Sequence, residues 1–198
     1  KKKYAAVLKL GEETDTQDFT GTIVSTAKPV DVSPQAIENV FNEFAGPIEQ
    51  LPPVYSALKH KGVPLYKLAR RGKPMQKPPR RVQIYNISIQ EIALPLVRFE
   101  VTCSAGTYIR TLCADIGKSL GCGGHLTALK RLESSGFTLN QAVSLSELEK
   151  LRNSTELSNR IIRMADALPD MPKFCADTQL AEKIRHGKLI STRELTGP

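Results

Sequence analysis

VRFEVTCSAGTYIRTLCADIGKSLGCGGHLTALKRL, residues 97–132, decides how the rest of the chain is arranged. Val97, Phe99, Val101 and Cys103 alternate with Arg98, Glu100, Thr102 and Ser104, the period of a strand with one buried face. Ala105-Gly106 breaks the alternation. Thr107 is the expected N-cap of a helix, since Ile109, Leu112, Cys113, Ile116 and Leu120 follow at helical spacing. Gly121 stands where a helix stop favours glycine. The glycine-rich GCGGH then leads into a further extended run.

Arg110 is out of place in this pattern. It sits in the first helical turn, opposite the apolar stripe, where a cation meets the unfavourable end of the macrodipole at about 0.3–1 kcal/mol. Two readings follow from spacing. Arg110 is either solvated and paired with Glu100, or it holds an anion above the strand end.

Working outward, the charge is uneven. The formal net charge is +8. Between Gln50 and Gln90 there is no Asp or Glu, and Lys59, Lys61, Lys67, Arg70, Arg71, Lys73, Lys77, Arg80 and Arg81 all fall there. The cations outside this window fall one short of the carboxylates, so the excess belongs to one segment, as in a polyanion-binding patch. Prolines bracket a short helical stretch, Leu65 to Arg71, within this window. It reads as an insertion too basic and too weakly apolar for the core. Tyr55 and Tyr66 interleave with its cations, an arrangement suited to unpaired bases.

Upstream, Tyr4, Ala6, Leu8 and Leu10 mark a strand, and Thr22 to Lys28 a second strand in a hairpin-like pair. The acidic GEETDTQDFTG between them lacks EF-hand spacing and reads as a solvated turn. Ser33-Pro34 starts a helix with Ile37, Val40, Phe41 and Phe44 on one face, ended by Gly46-Pro47. Arg81 to Ile92 is a strand whose apolar phase switches near Tyr85-Asn86, predicting a bulge. Downstream, Ser144 and Glu147 form a capping box, Leu168 to Pro172 marks a boundary, and Asp177 caps a helix closed by Gly187. The segregation of strands and helices predicts an α+β fold with a mixed, largely antiparallel sheet and flanking helices.

Apolar content of 40% suits a globular core, and no apolar run reaches the length of a membrane span. Cys103, Cys113, Cys122 and Cys175 have no zinc spacing and read as reduced, small apolar residues of a cytoplasmic protein. GCGGH carries only a weak phosphate-loop signal, and Asp115 reads as a solvent-facing or structurally paired carboxylate. These residues alone do not compose a complete active site.

The segments KKKYAAVLKLGEETDTQDFTG, LPPVYSALKHKGVPLYKLARRG, CSAGTYIRTLCADIGKSLGCGGHLTALKRLESSGF and RMADALPDMP together resemble the TruB family of tRNA pseudouridine synthases in its bacterial form. The resemblance implies an isomerase that flips the T-loop uridine of tRNA out of its stack. The enzyme breaks the glycosidic bond and rejoins the base through carbon, without cofactor or metal. It implies that Tyr4 packs on the flipped base and serves in proton removal, that Tyr108 lines the uridine pocket, and that Leu129 is an apolar contact there. It makes Arg110 the partner of the catalytic aspartate. A guanidinium there offsets the desolvation that raises a pocket carboxylate's pKa.

The family's aspartate lies in a G-x-L-D-P-x-A-x-G motif, which these 198 residues do not contain. None of Asp15, Asp18, Asp31 or Asp115 matches its context. The chain therefore reads as an internal portion of a longer, monomeric enzyme, inactive alone. Residues 1–172 are expected to belong to the catalytic domain, with a basic thumb at about 52–80. Residues 173–198 are expected to begin a small PUA-like RNA-binding domain. The alternative is a non-catalytic RNA-binding or RNA-folding module; a guide-RNA-dependent relative is a third reading.

Overall fold

The computed structural model describes residues 1–27, 30–152, 154–168 and 171–195. Two compact units divide the chain, Lys1–Ala142 and Val143–Pro198. The division falls well before the expected boundary at Leu168 to Pro172, of which Pro169 and Asp170 lie outside the described residues.

The first unit contains ten strands and three α-helices among its described residues. They are β1 (Lys2–Leu10), β2 (Glu12–Thr14), β3 (Ile23–Thr26), α1 (Pro34–Glu43), β4 (Gly46–Gln50), β5 (Lys59–His60), β6 (Val63–Pro64), α2 (Leu65–Arg70), β7 (Arg80–Ala93), β8 (Leu96–Cys103), α3 (Ile109–Ser119), β9 (Gly124–Ser134) and β10 (Phe137–Thr138). Six strands form one sheet in the order β10-β9-β1-β8-β7-β4, with every pairing antiparallel.

Alternation builds the core as expected. Tyr4, Ala6, Leu8 and Leu10 of β1 and Val97, Phe99, Val101 and Cys103 of β8 are all buried. Ile109, Leu112, Cys113 and Ile116 of α3, with Ile37 and Phe41 of α1, join the same cluster. Phe41 meets Phe99 edge to face at 5.2 Å between centroids, a favoured aromatic geometry. The predicted bulge is present as a register shift between Ile84 and Asn86. Ser33 caps α1 through the Ala36 amide at 3.2 Å, with Pro34 opening the helix.

Four local expectations are corrected. The strand at Ile23–Thr26 pairs with Glu12–Thr14 and not with β1; Lys28 lies outside the described residues. β4 follows α1 directly where only a helix stop was read, because Gly46 takes φ +100° and turns the chain onto β7. The N-cap of α3 is Tyr108, whose side chain makes no capping bond, and not Thr107. The basic segment has apolar anchors after all: Leu65 is fully buried and Ala69 nearly so.

In the second unit, α4 (Leu145–Leu151) carries the expected capping box of Ser144 and Glu147. α5 (Glu156–Arg160), α6 (Thr178–Arg185) and α7 (Thr192–Leu195) follow. Asp177 caps α6 through the Leu180 amide at 2.8 Å, and Gly187 takes φ +62° just beyond that helix.

Candidate active site

The junction of β8 and α3 is built around Arg110. Its Nη1 donates to Asp18 Oδ2 at 3.2 Å, and its Nη2 donates to the Tyr55 carbonyl. Both partners of the ion pair are about one-fifth exposed, so the pair is largely desolvated. Arg110 is thus neither solvated nor paired with Glu100, which bonds Lys3 at 2.8 Å. The helix-start penalty of a cation is offset by a carboxylate that the fold brings in from 92 residues away.

The acidic turn is docked, not solvated. Phe19 N–H donates to the Leu126 carbonyl at 2.9 Å, and Leu126 N–H donates to the Gln17 carbonyl at 3.1 Å. These bonds seat the turn on the start of β9. Thr111 Oγ1 donates to Gln17 Oε1 at 2.7 Å and ties the turn to α3. Asp18 Oδ1 accepts from the Thr20 hydroxyl at 2.5 Å, the Thr16 hydroxyl at 2.9 Å and the Thr20 amide at 3.0 Å. Burial pushes the Asp18 carboxyl up, but the bonds from Thr20 and Thr16, with Arg110, outweigh it and hold it below the ordinary aspartate value. Asp18 is therefore ionised at neutral pH.

Tyr108 stands beside this pair. Its ring has the Arg80 guanidinium 4.7 Å from its centroid and that of Arg110 5.7 Å away. Its backbone is bonded at both ends by the side chain of Gln50. Tyr55, whose carbonyl holds Arg110, directs its hydroxyl at Asp15 Oδ2, 3.5 Å away. The structure thus sets Tyr108 beside Arg110 and adds Asp18, Tyr55 and Gln50.

Tyr4 and Leu129 stand on β1 and β9, with Tyr4 opposite Val101, two residues before the end of β8. Tyr4 is buried in β1, with the Arg131 guanidinium 5.5 Å from its ring centroid. Leu129, opposite Ala6 in the ladder, is 47% exposed and not a core residue. It shares the face of Tyr4, whose partner on β9 is Arg131. No hydrogen bond or ring contact joins Tyr4 to Tyr108 or Arg110 among the described residues.

The other candidates resolve individually. Lys59, Lys61, Lys67, Arg70, Arg71, Lys73 and Arg81 are exposed, and Lys77 and Arg80 are half-buried, the latter over the Tyr108 ring. The Arg70 guanidinium lies 5.6 Å from the Tyr66 ring centroid. His125 is buried, with Nδ1 3.0 Å from the Glu12 carbonyl. Gly123 and Gly124 of GCGG serve packing: a Cβ would come within 2.6 Å of Glu13 Cγ on the first and 2.8 Å of Leu8 Cδ1 on the second.

Asp115 is half-buried, and no side-chain hydrogen bond reaches it among the described residues. Burial pushes its carboxyl up to about 6, with Lys118 pulling the other way. A folded value above the unfolded one means that the ionised form costs stability in full above about pH 6 and nothing below about pH 4. Discounted for its partial exposure, Asp115→Asn is expected to raise the unfolding free energy by about 1 kcal/mol near neutral pH. Urea titrations near pH 7 and pH 4 check this, with no gain expected at the lower value.

Gln50 gave no sequence signal, being one polar residue at the end of a five-residue strand. Asp18 gave a partial one. Its threonine neighbours are side-chain donors suited to a fixed Asx turn, a geometry that fits a docked carboxylate.

Comparison with known proteins gives this geometry a family. Residues 1–109 match the TruB family pseudouridylate synthase N-terminal domain. Residues 110–168 match the tRNA pseudouridylate synthase B C-terminal domain, a junction within the first turn of α3 and not at the division between compact units. The tRNA pseudouridine synthase B of Geobacter sulfurreducens is 44% identical over 186 residues, covering 94% of this chain and 61% of that protein. That of Alkaliphilus oremlandii is 42% identical over 195 residues, covering 98% of this chain and 64% of that protein. The chain thus spans about three-fifths of the length of the curated relatives it matches. Among solved structures, a chain of a Cbf5-Nop10-Gar1 complex superposes with a TM-score of 0.66 at 27% identity, covering 94% of this chain and 48% of that one. An H/ACA RNP bound to a substrate RNA containing 2'-deoxyuridine shares the fold, with a TM-score of 0.51 at 24% identity. With its six-stranded antiparallel sheet and its GTYIRT junction intact, the chain belongs to the TruB family of pseudouridylate synthases.

Proposed function

We propose that this chain is part of a tRNA pseudouridine synthase that isomerises the T-loop uridine of tRNA. The observation that carries the reading is Arg110, held in a largely desolvated ion pair beside the Tyr108 ring at a strand–helix junction. The guanidinium has five N–H donors, and the two bonds described leave capacity for a further carboxylate. In this reading Arg110 keeps that carboxylate ionised while Tyr4, Tyr108 and Leu129 hold the flipped base. The nucleophilic aspartate of the G-x-L-D-P-x-A-x-G motif is not among the 198 residues. No cofactor or metal is needed, and the enzyme is a cytoplasmic monomer. No described helix is long and apolar enough to cross a membrane. The basic segment at about 52–80 is the thumb that closes on the T stem-loop, residues 1–172 belong to the catalytic domain, and residues 173–198 begin the PUA-like domain.

Two measurements test this. Replacing Arg70 and Arg71 by methionine is expected to weaken binding of a T stem-loop RNA and to flatten its salt dependence. Each phosphate left without its cation lowers the log–log slope by roughly 0.7–0.9, and an unchanged slope would remove the thumb assignment. An RNA tritiated at uridine C5 tests the chemistry. The 198 residues alone are expected to bind it without releasing tritium, as a non-catalytic RNA-binding module also would. Release from this chain would show that one of its own carboxylates is the nucleophile.

A further inference from the structure

Gln50 and Arg80 face each other in the β4–β7 ladder, and both reach the turn between β8 and α3. Gln50 is fully buried. Its Oε1 accepts the Tyr108 N–H at 2.7 Å, and its Nε2 donates to the Tyr108 carbonyl at 3.0 Å. One carboxamide thus fixes both peptide groups of the residue that enters α3. Arg80 takes the rest of the turn. Its Nη2 donates to the Gly106 carbonyl, and its guanidinium covers the Tyr108 ring. Gly106, at φ +92°, presents no side chain to this guanidinium; a Cβ there would sit 3.4 Å from Arg80 Cζ. Arg80 Nε is buried and has no partner among the described residues, unlike the solvated Arg70 and Arg71. A residue serving only as a phosphate contact has no reason to keep a donor out of water.

We propose that Gln50 and Arg80 form a clamp that sets the position of the Tyr108 ring, and that Arg80 is a positioning residue and not a phosphate contact. The proposal rests on the reading of Tyr108 as a wall of the uridine pocket. Gln50 fixes the backbone, so that α3 starts at Tyr108 without a side-chain cap. Arg80 fixes the ring, its guanidinium carbon 4.7 Å from the ring centroid, a contact for which an ammonium is a poor substitute. Because the two meet at one register position, the β4–β7 pairing itself carries the ring's placement.

The test compares Arg80→Met, Arg80→Lys, Arg71→Met and Gln50→Met with the unsubstituted chain. T stem-loop binding is titrated across salt, and amide exchange and the Tyr108 ring resonances are followed by NMR. Loss of ring placement is expected to weaken binding about fivefold or more in both Arg80→Met and Arg80→Lys, with the salt slope unchanged. Arg71→Met lowers the slope. Both Arg80 variants shift the Tyr108 ring resonances, and Arg71→Met does not. In Gln50→Met the Tyr108 amide exchanges about tenfold faster or more, while the amides within β1 and β8 keep their protection. Near-normal binding by Arg80→Lys together with a reduced slope in Arg80→Met would overturn the assignment of Arg80. Unchanged exchange at Tyr108 in Gln50→Met would overturn that of Gln50. Should the unsubstituted chain not bind the RNA, the uridine-pocket reading falls, yet the exchange and ring measurements still decide the clamp. The Arg80 variants decide their half even if Gln50→Met does not fold.

Discussion

Arg110→Met is expected to lower the unfolding free energy by about 2–3 kcal/mol near neutral pH, since it strands a largely desolvated carboxylate and an acceptor carbonyl. The two losses are separable. Asp18 loses its ion pair but keeps the bonds from Thr20 and Thr16, so the loss falls short of that for a fully buried pair. The Tyr55 carbonyl loses the donor that Arg110 provides. Asp18→Asn in the same background removes the stranded charge, and the double substitution is expected to recover about half of the loss.

The pH dependence carries the sign. Asp18 is depressed in the folded state, so its ionised form contributes stability that is present above the unfolded value near pH 4 and lost as pH falls through the folded one. In Arg110→Met the penalty therefore shrinks on acidification, as Asp18 takes up a proton and no lone charge remains. Urea titrations near pH 7 and near pH 3 measure the difference. An equal loss at both values would place the whole effect on the Tyr55 carbonyl and remove Asp18 from the account.

What the sequence displayed is what local periodicity and capping control. Val97 to Cys103 and Ile109 to Ile116 alternate and repeat because each faces one core. The bulge near Tyr85-Asn86 was legible because a bulge moves the apolar phase to the other face. Ser33, Ser144 and Asp177 cap helices through bonds within three residues. The misses are contacts of long range. Thr107 had the chemistry of a cap, but Gln50, 58 residues from Tyr108, holds the helix entry instead. The acidic turn read as solvated because its anchor, Leu126, is over a hundred residues away and bonds through its backbone. β4 was invisible because a short edge strand containing glycine, proline and glutamate has no apolar alternation to show. Family resemblance supplied Tyr108 and Arg110, but neither the clamp on the ring nor the carboxylate that this chain offers the arginine.

Gly117→Ala is expected to destabilise the chain by about 2–3 kcal/mol, although alanine is favoured over glycine in a helix interior by roughly 1 kcal/mol. Propensity and packing have opposite signs here, and the distances decide between them. A Cβ on Gly117 would come 2.4 Å from both Gly123 C and Gly124 N and 2.7 Å from Gly123 O, all backbone atoms without a rotamer to change. Relief requires α3 to move off the start of β9, which breaks the bond from Gly123 N–H to the Gly117 carbonyl at 2.9 Å. That start also bonds Gly11 and Glu12, so the displacement reaches the loop leading to the acidic turn and Asp18. Gly121→Ala is the control. Its φ is +75° and no atom lies within 4 Å of its would-be Cβ, so only the left-handed backbone is penalised, at about 1 kcal/mol. Urea midpoints rank the two. A Gly117→Ala chain as stable as the Gly121→Ala one would mean that α3 and β9 do not approach at backbone contact. In that case the glycines of GCGGH would again need a reason, and an anion would again be a candidate for it.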